Sequence, residues 1–329
     1  MTAIEALARE KRFDWPLCYE AENLIAGHLE FFTGRNRFAA HLANRMIAET
    51  GTLLLDWVDH LMLPKKDEQH LHAVGFVEEL RAETPSHLQA FWHPEAMLPR
   101  VLIERDSQTS PPPRVLAIRC EGVADFMAAH GLAHEPDGAP LSRFRRGLVS
   151  EEEGTRLEAV ERRGYLGYVP ATGTGEAESL LKGAELWRTR PRQFASDAEG
   201  YRITHALVDR VVQRLGPDLA CHTFFAEERA WWQRRNHAAR VQKARQDKLG
   251  LGWANHDHHT FRSSREHFVD LMRVLEKLGF ERRERYYAGA HGQAARQALR
   301  SLPQSREHQV QSPAGASPQT DRLPAEHLR

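Results

Sequence analysis

The residues predict an α+β protein in which strand–helix–strand units recur, with added helices at the N-terminus and over 200–250 and a disordered C-terminal tail. Three observations carry this. An extended segment, a helix, a closing glycine and an apolar residue opening a new strand recur in that order three times. Two amphipathic stretches precede the first copy, and two more separate the second from the third. From about Ala290 the composition turns to Pro, Ser, Gln and Arg with few large apolar residues, as in chains that cannot bury a core.

At the N-terminus, Leu24, Ile25, Leu29 and Phe32 have helical spacing and stop at Gly34; Phe38, Leu42, Met46 and Ile47 repeat the pattern and stop at Gly51. The first unit runs Leu53–Leu63 as strand and Lys65–Val74 as helix, closed by Gly75–Phe76. The second runs Arg114–Cys120 and Glu121–His130, closed by Gly131–Leu132. The third runs His256–Ser263 and Ser264–Leu278, closed by Gly279–Phe280. Ser263 and Glu266 have the spacing of a capping box. Further extended segments follow the first two helices, and the Pro-rich 107–114 separates those units. The division is therefore 1–50 helical, 51–106 first module, 107–199 second module, 200–250 helical insertion, 251–290 partial third module and 291–329 disordered tail. The third module stops after one strand past its helix.

The 329 residues are 41% apolar and 27% charged, ordinary for a globular protein of about two domains. Lys and Arg total 45 and so do Asp and Glu, so no global field draws in nucleic acid. No apolar run reaches the roughly 18 residues of a membrane helix, and the N-terminus lacks the apolar core of a signal peptide. Cys18, Cys120 and Cys221 are too scattered for a disulfide framework, which points to a reducing compartment, the cytoplasm.

Histidine is the group to place, since there are 19. In the stretch Asn255–Arg262, strand alternation puts His256, His258, Thr260 and Arg262 on one face and Phe261 toward a core. Two imidazoles, at least one of them a ligand, beside a guanidinium suit a divalent metal and a substrate carboxylate, with His256 and Arg262 as candidate catalytic or substrate-gripping groups. The alternative is a polar strand end with solvated histidines. His60 occupies the corresponding place in the first unit, sharing a face with Val58 while Asp59 lies on the other; it is either a second ligand or a hydrogen-bonded core residue. Glu161, late in the second module's last strand, is the carboxylate candidate, or else a glutamate paired with Arg162 or Arg163. Two histidines and a carboxylate with open positions make a facial triad. His93 and Arg143, Arg145 and Arg146 are weaker candidates; an arginine lining a pocket on a sheet face would bind an anionic substrate, and the alternative for each is a solvated side chain. No dinucleotide, phosphate-loop, nucleophile-elbow or zincin motif is present.

A competing signal lies in 229–248, where seven basic residues accompany Trp231 and Trp232, a combination that can hold single-stranded nucleic acid. The other reading is a helix with a solvated basic face and tryptophans packed inward. The offsetting charge elsewhere favours the latter.

The strand–helix–strands units, with His near a first strand and Glu in a last one, resemble the βαβββ modules of the vicinal oxygen chelate superfamily, which includes glyoxalases and extradiol dioxygenases. Asp257–Arg262 and Ala159–Gly164 also look similar to the metal-binding strands of 2-oxoadipate dioxygenase/decarboxylase-like proteins, although the order here is His, Glu, His. The resemblance implies a cupped mixed sheet around a divalent metal, iron(II) first, with manganese or zinc as alternatives, held by His60, Glu161 and His258. It implies an oxygenase or lyase acting on a chelated 2-oxo acid or vicinal-oxygen substrate, gripped by Arg262, Arg143 or Arg145. Modules in that superfamily often pair between chains, which allows a homodimer. The alternatives are a non-catalytic binding protein using 229–248 or an inactive truncated copy.

Overall fold

The run Val58–Pro64 forms β1, and the chain turns through a short 3₁₀ segment into helix α3 (Glu68–Ala73). (Helices α1, Tyr19–Thr33, and α2, Arg37–Arg45, come before it.) Gly75 closes α3 at φ 93°, and an added Cβ there would lie 2.9 Å from His93 Nε2, so glycine is required on both counts. Strands β2 (Val77–Glu78), β3 (Leu88–Trp92) and β4 (Arg100–Glu104) follow. The second unit repeats the plan with β5 (Arg114–Arg119), α4 (Val123–Ala129), β6 (Phe144–Glu152) and β7 (Thr155–Arg162). This computed structural model describes residues 16–105, 113–171, 175–255, 261, 263–287 and 295–301, with backbone alone over 282–287 and 295–301.

The seven strands make one mixed sheet in the order β2-β3-β4-β1-β5-β7-β6. Strands β1 and β5 pair antiparallel at its centre. From that centre each half reads alike: β1 is parallel to β4 as β5 is to β7, and β3 pairs antiparallel with β4 as β6 does with β7. At the outer edge of β6 an isolated bridge, Asp137 to Arg146, stands where β2 stands in the first half. Two βαβββ-like units therefore form one sheet about an approximate twofold.

The two faces of the sheet differ. Leu61, Leu63, Val101, Ile103, Leu116, Ile118, Leu157 and Ala159 belong to one core with Ile25 and Phe32 of α1, Leu42 of α2 and Phe126 of α4. This is the helix-covered face. The alternate residues, among them His60, Arg100, Ala117, Val160 and Arg162, point to the other, which we call the front face.

Helices α5 (Ala177–Arg188), α6 (Asp197–Leu215), α7 (Pro217–Gln233) and α9 (Phe268–Lys277) build a separate core around Trp187, Val208, Val211, Phe224, Phe225 and Leu275. The stretch expected as one interrupted helix is α7 followed, after a break at Asn236, by α8 (His237–Asp247). Glu121, just past β5, fastens this layer to the sheet. It accepts from Arg229 Nη2 at 3.5 Å, Lys243 Nζ at 3.1 Å and the Trp253 N–H at 3.1 Å, and its own N–H donates to Leu251 O.

Three expectations need correction. The helix after the third His-rich stretch begins at Phe268, and the Ser263–Glu266 capping box does not form. Ser263 Oγ instead accepts from Tyr201 Oη at 3.1 Å, and Ser264 Oγ accepts from the His267 N–H. Strand β8 (Phe280–Tyr287) pairs with β9 (Ala295–Ser301) as a separate hairpin, so a second strand follows the third helix where the sequence reading stops that module at one. Helix α5 lies where the sequence reading sets no element. Among the described residues, no helix is long and apolar enough to cross a membrane.

Two histidines on the helix-covered side are held neutral. His28 accepts at Nδ1 from Arg114 Nη1 at 2.8 Å, and burial and that guanidinium push its pKa down. His130 lies against Phe38 and Phe126 with Nε2 donating to Leu249 O at 3.0 Å, and burial lowers it too. The unfolded chain therefore binds more protons just below the ordinary histidine pKa of about 6.5, and the stability these groups confer is complete above that pH and lost as pH falls below it. Urea midpoints are expected to fall between about pH 7 and pH 5, before most carboxylates titrate. A His28→Gln/His130→Gln chain should lose most of that slope, and a midpoint flat across the window in the parent chain would refute the assignment.

Candidate active site on the front face

Strict alternation along β1 would send Asp59 and His60 to opposite faces. The register against β5 instead shifts between Val58, opposite Ile118, and His60, opposite Ala117. Asp59 is the extra residue of a β-bulge, and its side chain comes to the front beside His60. This corrects the face assigned to Asp59 from the sequence.

The Asp59 carboxylate is buried and collects five hydrogen bonds. Arg162 gives two, Nε to Oδ2 at 3.0 Å and Nη2 to Oδ1 at 2.7 Å. Arg119 gives two to Oδ2, from Nη2 at 2.8 Å and Nε at 3.2 Å. His60 Nδ1 lies 2.8 Å from Oδ1. Burial alone would push the Asp59 carboxyl up; the Arg162 and Arg119 guanidiniums and the His60 contact outweigh it and hold the group well below its usual range. An ionised carboxylate can only accept, so His60 carries its proton on Nδ1. In the neutral imidazole that leaves Nε2 with its lone pair, and among the described residues no hydrogen bond occupies it. The Tyr168 ring meets the imidazole edge-on at 4.9 Å.

More charge surrounds this pair. Arg100, opposite His60 on β4, is buried and reaches Glu79 Oε2 at 3.5 Å. Glu158 lies in the same cross-strand row, beyond Ala117, and so shares the front face with His60. It is buried, and Arg146 Nη1 approaches it only to 3.9 Å while bonding Asp137 more closely at 3.1 Å. None of Asp59, Arg119, Arg162, Arg100 and Glu158 was singled out as a functional residue from the sequence. The signal that finds them is the spacing Glu158, Val160, Arg162, but only once the sheet register fixes which face is which.

The structure separates His60 from Glu161. Glu161 shares the helix-covered face with Leu157 and Ala159. It accepts from the Val123 N–H at the start of α4 at 3.0 Å and from Arg145 Nη1 at 3.3 Å, and it is ion-paired with Arg163. Its place is that of a helix cap, where a carboxylate is favoured by the local dipole. Arg145 also donates to Gly138 O, and Arg143 is committed to Glu176 by two bonds of 2.8 Å, so neither faces His60. His93 shapes a turn: its Nδ1 accepts from the Glu95 and Ala96 N–H groups, and Nε2 donates to Val74 O. His256, His258 and Arg262 lie outside the described residues. The ends of their stretch are placed, with Asn255 Oδ1 accepting from Gln246 and Phe261 packed against Phe224 and Phe225.

Among the described residues no group of three or more His, Cys, Asp or Glu side chains is placed to hold a metal. Of the basic stretch, Arg229 and Lys243 are tied to Glu121. The Trp231 ring is covered by Arg192 at 4.0 Å and Arg235 at 3.3 Å, which removes it as a stacking platform for bases.

No family model matches the sequence, and no curated protein matches it. Among solved structures, a glyoxalase I variant from Zea mays is similar over 34% of this chain and 46% of its own length, at 14% identity and a TM-score of 0.24. The chain thus spans less than half of that protein.

Replacing Asp59 with Asn keeps the shape and removes the charge that buried Arg162 and partly buried Arg119 share. Breaking a buried ion pair from one side costs about 3–5 kcal/mol. Asp59→Asn is expected to lose stability of that order in urea unfolding, and a loss below about 1 kcal/mol would show that the cluster is not held together by this carboxylate.

Proposed function

We propose that the chain is a metal-dependent enzyme of the vicinal oxygen chelate type, an oxygenase or lyase that takes a small anionic 2-oxo acid or vicinal-oxygen substrate on the front face of its sheet. The observation that carries this reading is the Asp59–His60 pair. A carboxylate bonded to one imidazole nitrogen fixes the tautomer and aims the other nitrogen outward, as it does behind metal-ligating histidines. The paired βαβββ-like units are the architecture that the sequence resemblance implies.

His60 Nε2 and the Glu158 carboxylate are the front-face groups suited to a divalent ion, one imidazole and one carboxylate. They are two donors and not a full set, so the remaining ligands fall to the stretch containing His256 and His258. When bound, such an ion supplies Lewis acidity and open positions for two substrate oxygens. The chain's own part is clearer. Asp59 holds His60 as the Nδ1–H tautomer. Arg119 and Arg162 face the Asp59 carboxylate between them, so the Asp59 cluster carries one positive charge in excess, which favours an anionic substrate. Tyr168 walls one side of the imidazole. Glu161 has no part in this reading, because its carboxylate belongs to the other face.

The test is metal content of the purified full chain after anaerobic loading with iron(II), manganese or zinc. About one equivalent is expected in the parent, lost in His60→Ala, Glu158→Ala and His258→Ala but kept in a folded Glu161→Gln chain, with oxygen uptake on 2-oxo acids following the iron content. Metal kept at His60→Ala, or no metal in any form, would overturn the proposal.

A further inference from the structure

We propose that Arg162 is a positioning residue for His60, joining the carboxylate that orients the imidazole to the chain segment that lays Tyr168 against it. The inference rests on the reading that His60 Nε2 is the working nitrogen, and it concerns how that nitrogen is aimed.

Arg162 is the last residue of β7, and its guanidinium works in two directions. Toward β1 it grips both Asp59 oxygens. Toward the following segment its Nη1 donates to Tyr165 O at 2.7 Å and to Gly167 O at 2.6 Å. The same guanidinium lies over the rings of Phe144, at 4.6 Å, and Tyr168, at 5.0 Å. The 163–168 segment is also anchored by Glu83: the Tyr168 N–H donates to its carbonyl at 2.7 Å, and Tyr165 Oη to its carboxylate at 2.6 Å. Gly167 fits under this arrangement only because it lacks a Cβ, which would come within 2.3 Å of the Tyr165 ring and 2.8 Å of Glu83 O. Without Arg162, Asp59 loses two of its five hydrogen bonds, and the following segment loses those at Tyr165 O and Gly167 O.

Lysine cannot replace this. Its single ammonium cannot span two carboxylate oxygens and two carbonyls at once, whereas the planar fork of arginine can. Arg163 is a neighbour of identical chemistry that serves as a control. It bonds Ser142 O at 2.9 Å and pairs with Glu161, away from Asp59.

The experiment reads the imidazole directly. The full chain, labelled with ¹⁵N-histidine and treated with EDTA, is compared with Arg162→Lys and Arg163→Lys by long-range ¹H–¹⁵N correlation spectra, with His60→Gln identifying the signal and circular dichroism confirming the fold. His60 in the parent and in Arg163→Lys is expected as the Nδ1–H tautomer alone. In Arg162→Lys the Nε2–H form should rise severalfold. A folded Arg162→Lys chain with the parent tautomer, or an equal change in both lysine variants, would overturn the proposal. Should Arg162→Lys not fold, the parent chain still decides: the Arg162 Nε–H must exchange slowly with water, and fast exchange defeats the clamp. Failure of the functional reading appears elsewhere, as full metal content in His60→Ala, and leaves the tautomer result standing.

Discussion

One buried carboxylate organises the front of this molecule. Asp59 sits where three side chains meet: the guanidinium of Arg119 from β5, that of Arg162 from β7, and the imidazole of its own neighbour. A carboxylate taken out of water is tolerable only when its lone pairs are filled and its charge is answered. Asp59 meets both conditions by drawing the two halves of the sheet together, since β1 belongs to one unit and β5 and β7 to the other. The β-bulge makes this possible. Without the register shift at Asp59, the charge would lie among Val58, Leu61 and the helices, with no guanidinium to answer it.

The division of labour between faces follows from the same geometry. On the helix-covered side, polar groups are few and each is spent on structure. Glu161 holds the start of α4, and His28 and His130 stay neutral by burial. On the front side, charges are concentrated and include groups with unfilled valence, His60 Nε2 and Glu158 among them. On the helix-covered side such groups are scarce, His28 Nε2 being a buried one, because an unsatisfied buried donor or acceptor costs about 1–3 kcal/mol.

Much of the fold was legible because it rests on local rules. The apolar spacing of Leu24 to Phe32, the glycines at 51, 75, 131 and 279, and the period-2 runs at Arg114–Cys120 and Thr155–Arg162 are readable without tertiary knowledge, and each marks an element that forms. The third helix start was not legible, because Ser263 is claimed by Tyr201 from another helix, a long-range contact that outweighs a capping spacing. The site was legible only at His60. Glu161 has the look of a metal carboxylate in a strand, and the residue three positions earlier does not. Which of Glu158 and Glu161 faces His60 depends on a register across three strands, and one bulge is enough to confuse that parity. Asp59 failed for the same reason. Trp231 left a nucleic-acid reading open beside the favoured packed one because its covering arginine, Arg192, is distant in sequence.

A buried ion cluster is weak evidence of stabilisation, because well-packed apolar side chains of the same volume commonly serve as well or better. The front cluster therefore calls for a reason beyond stability, and its wiring supplies one. If Asp59 were needed only to tie β1 to β5 and β7, a hydrophobic contact such as the nearby Ala117–Val160–Phe144 cluster would suffice. What apolar packing cannot do is fix the protonated nitrogen of an imidazole. The arrangement of one carboxylate, two arginines and one histidine determines that nitrogen and leaves the other turned away from Asp59. That is the respect in which this cluster differs from the Arg190–Glu228–Arg192 triad of the helical layer, where four hydrogen bonds close on the Glu228 carboxylate and the one group left over, Arg192 Nε, is a donor. The first arrangement presents a lone pair; the second only holds two segments together.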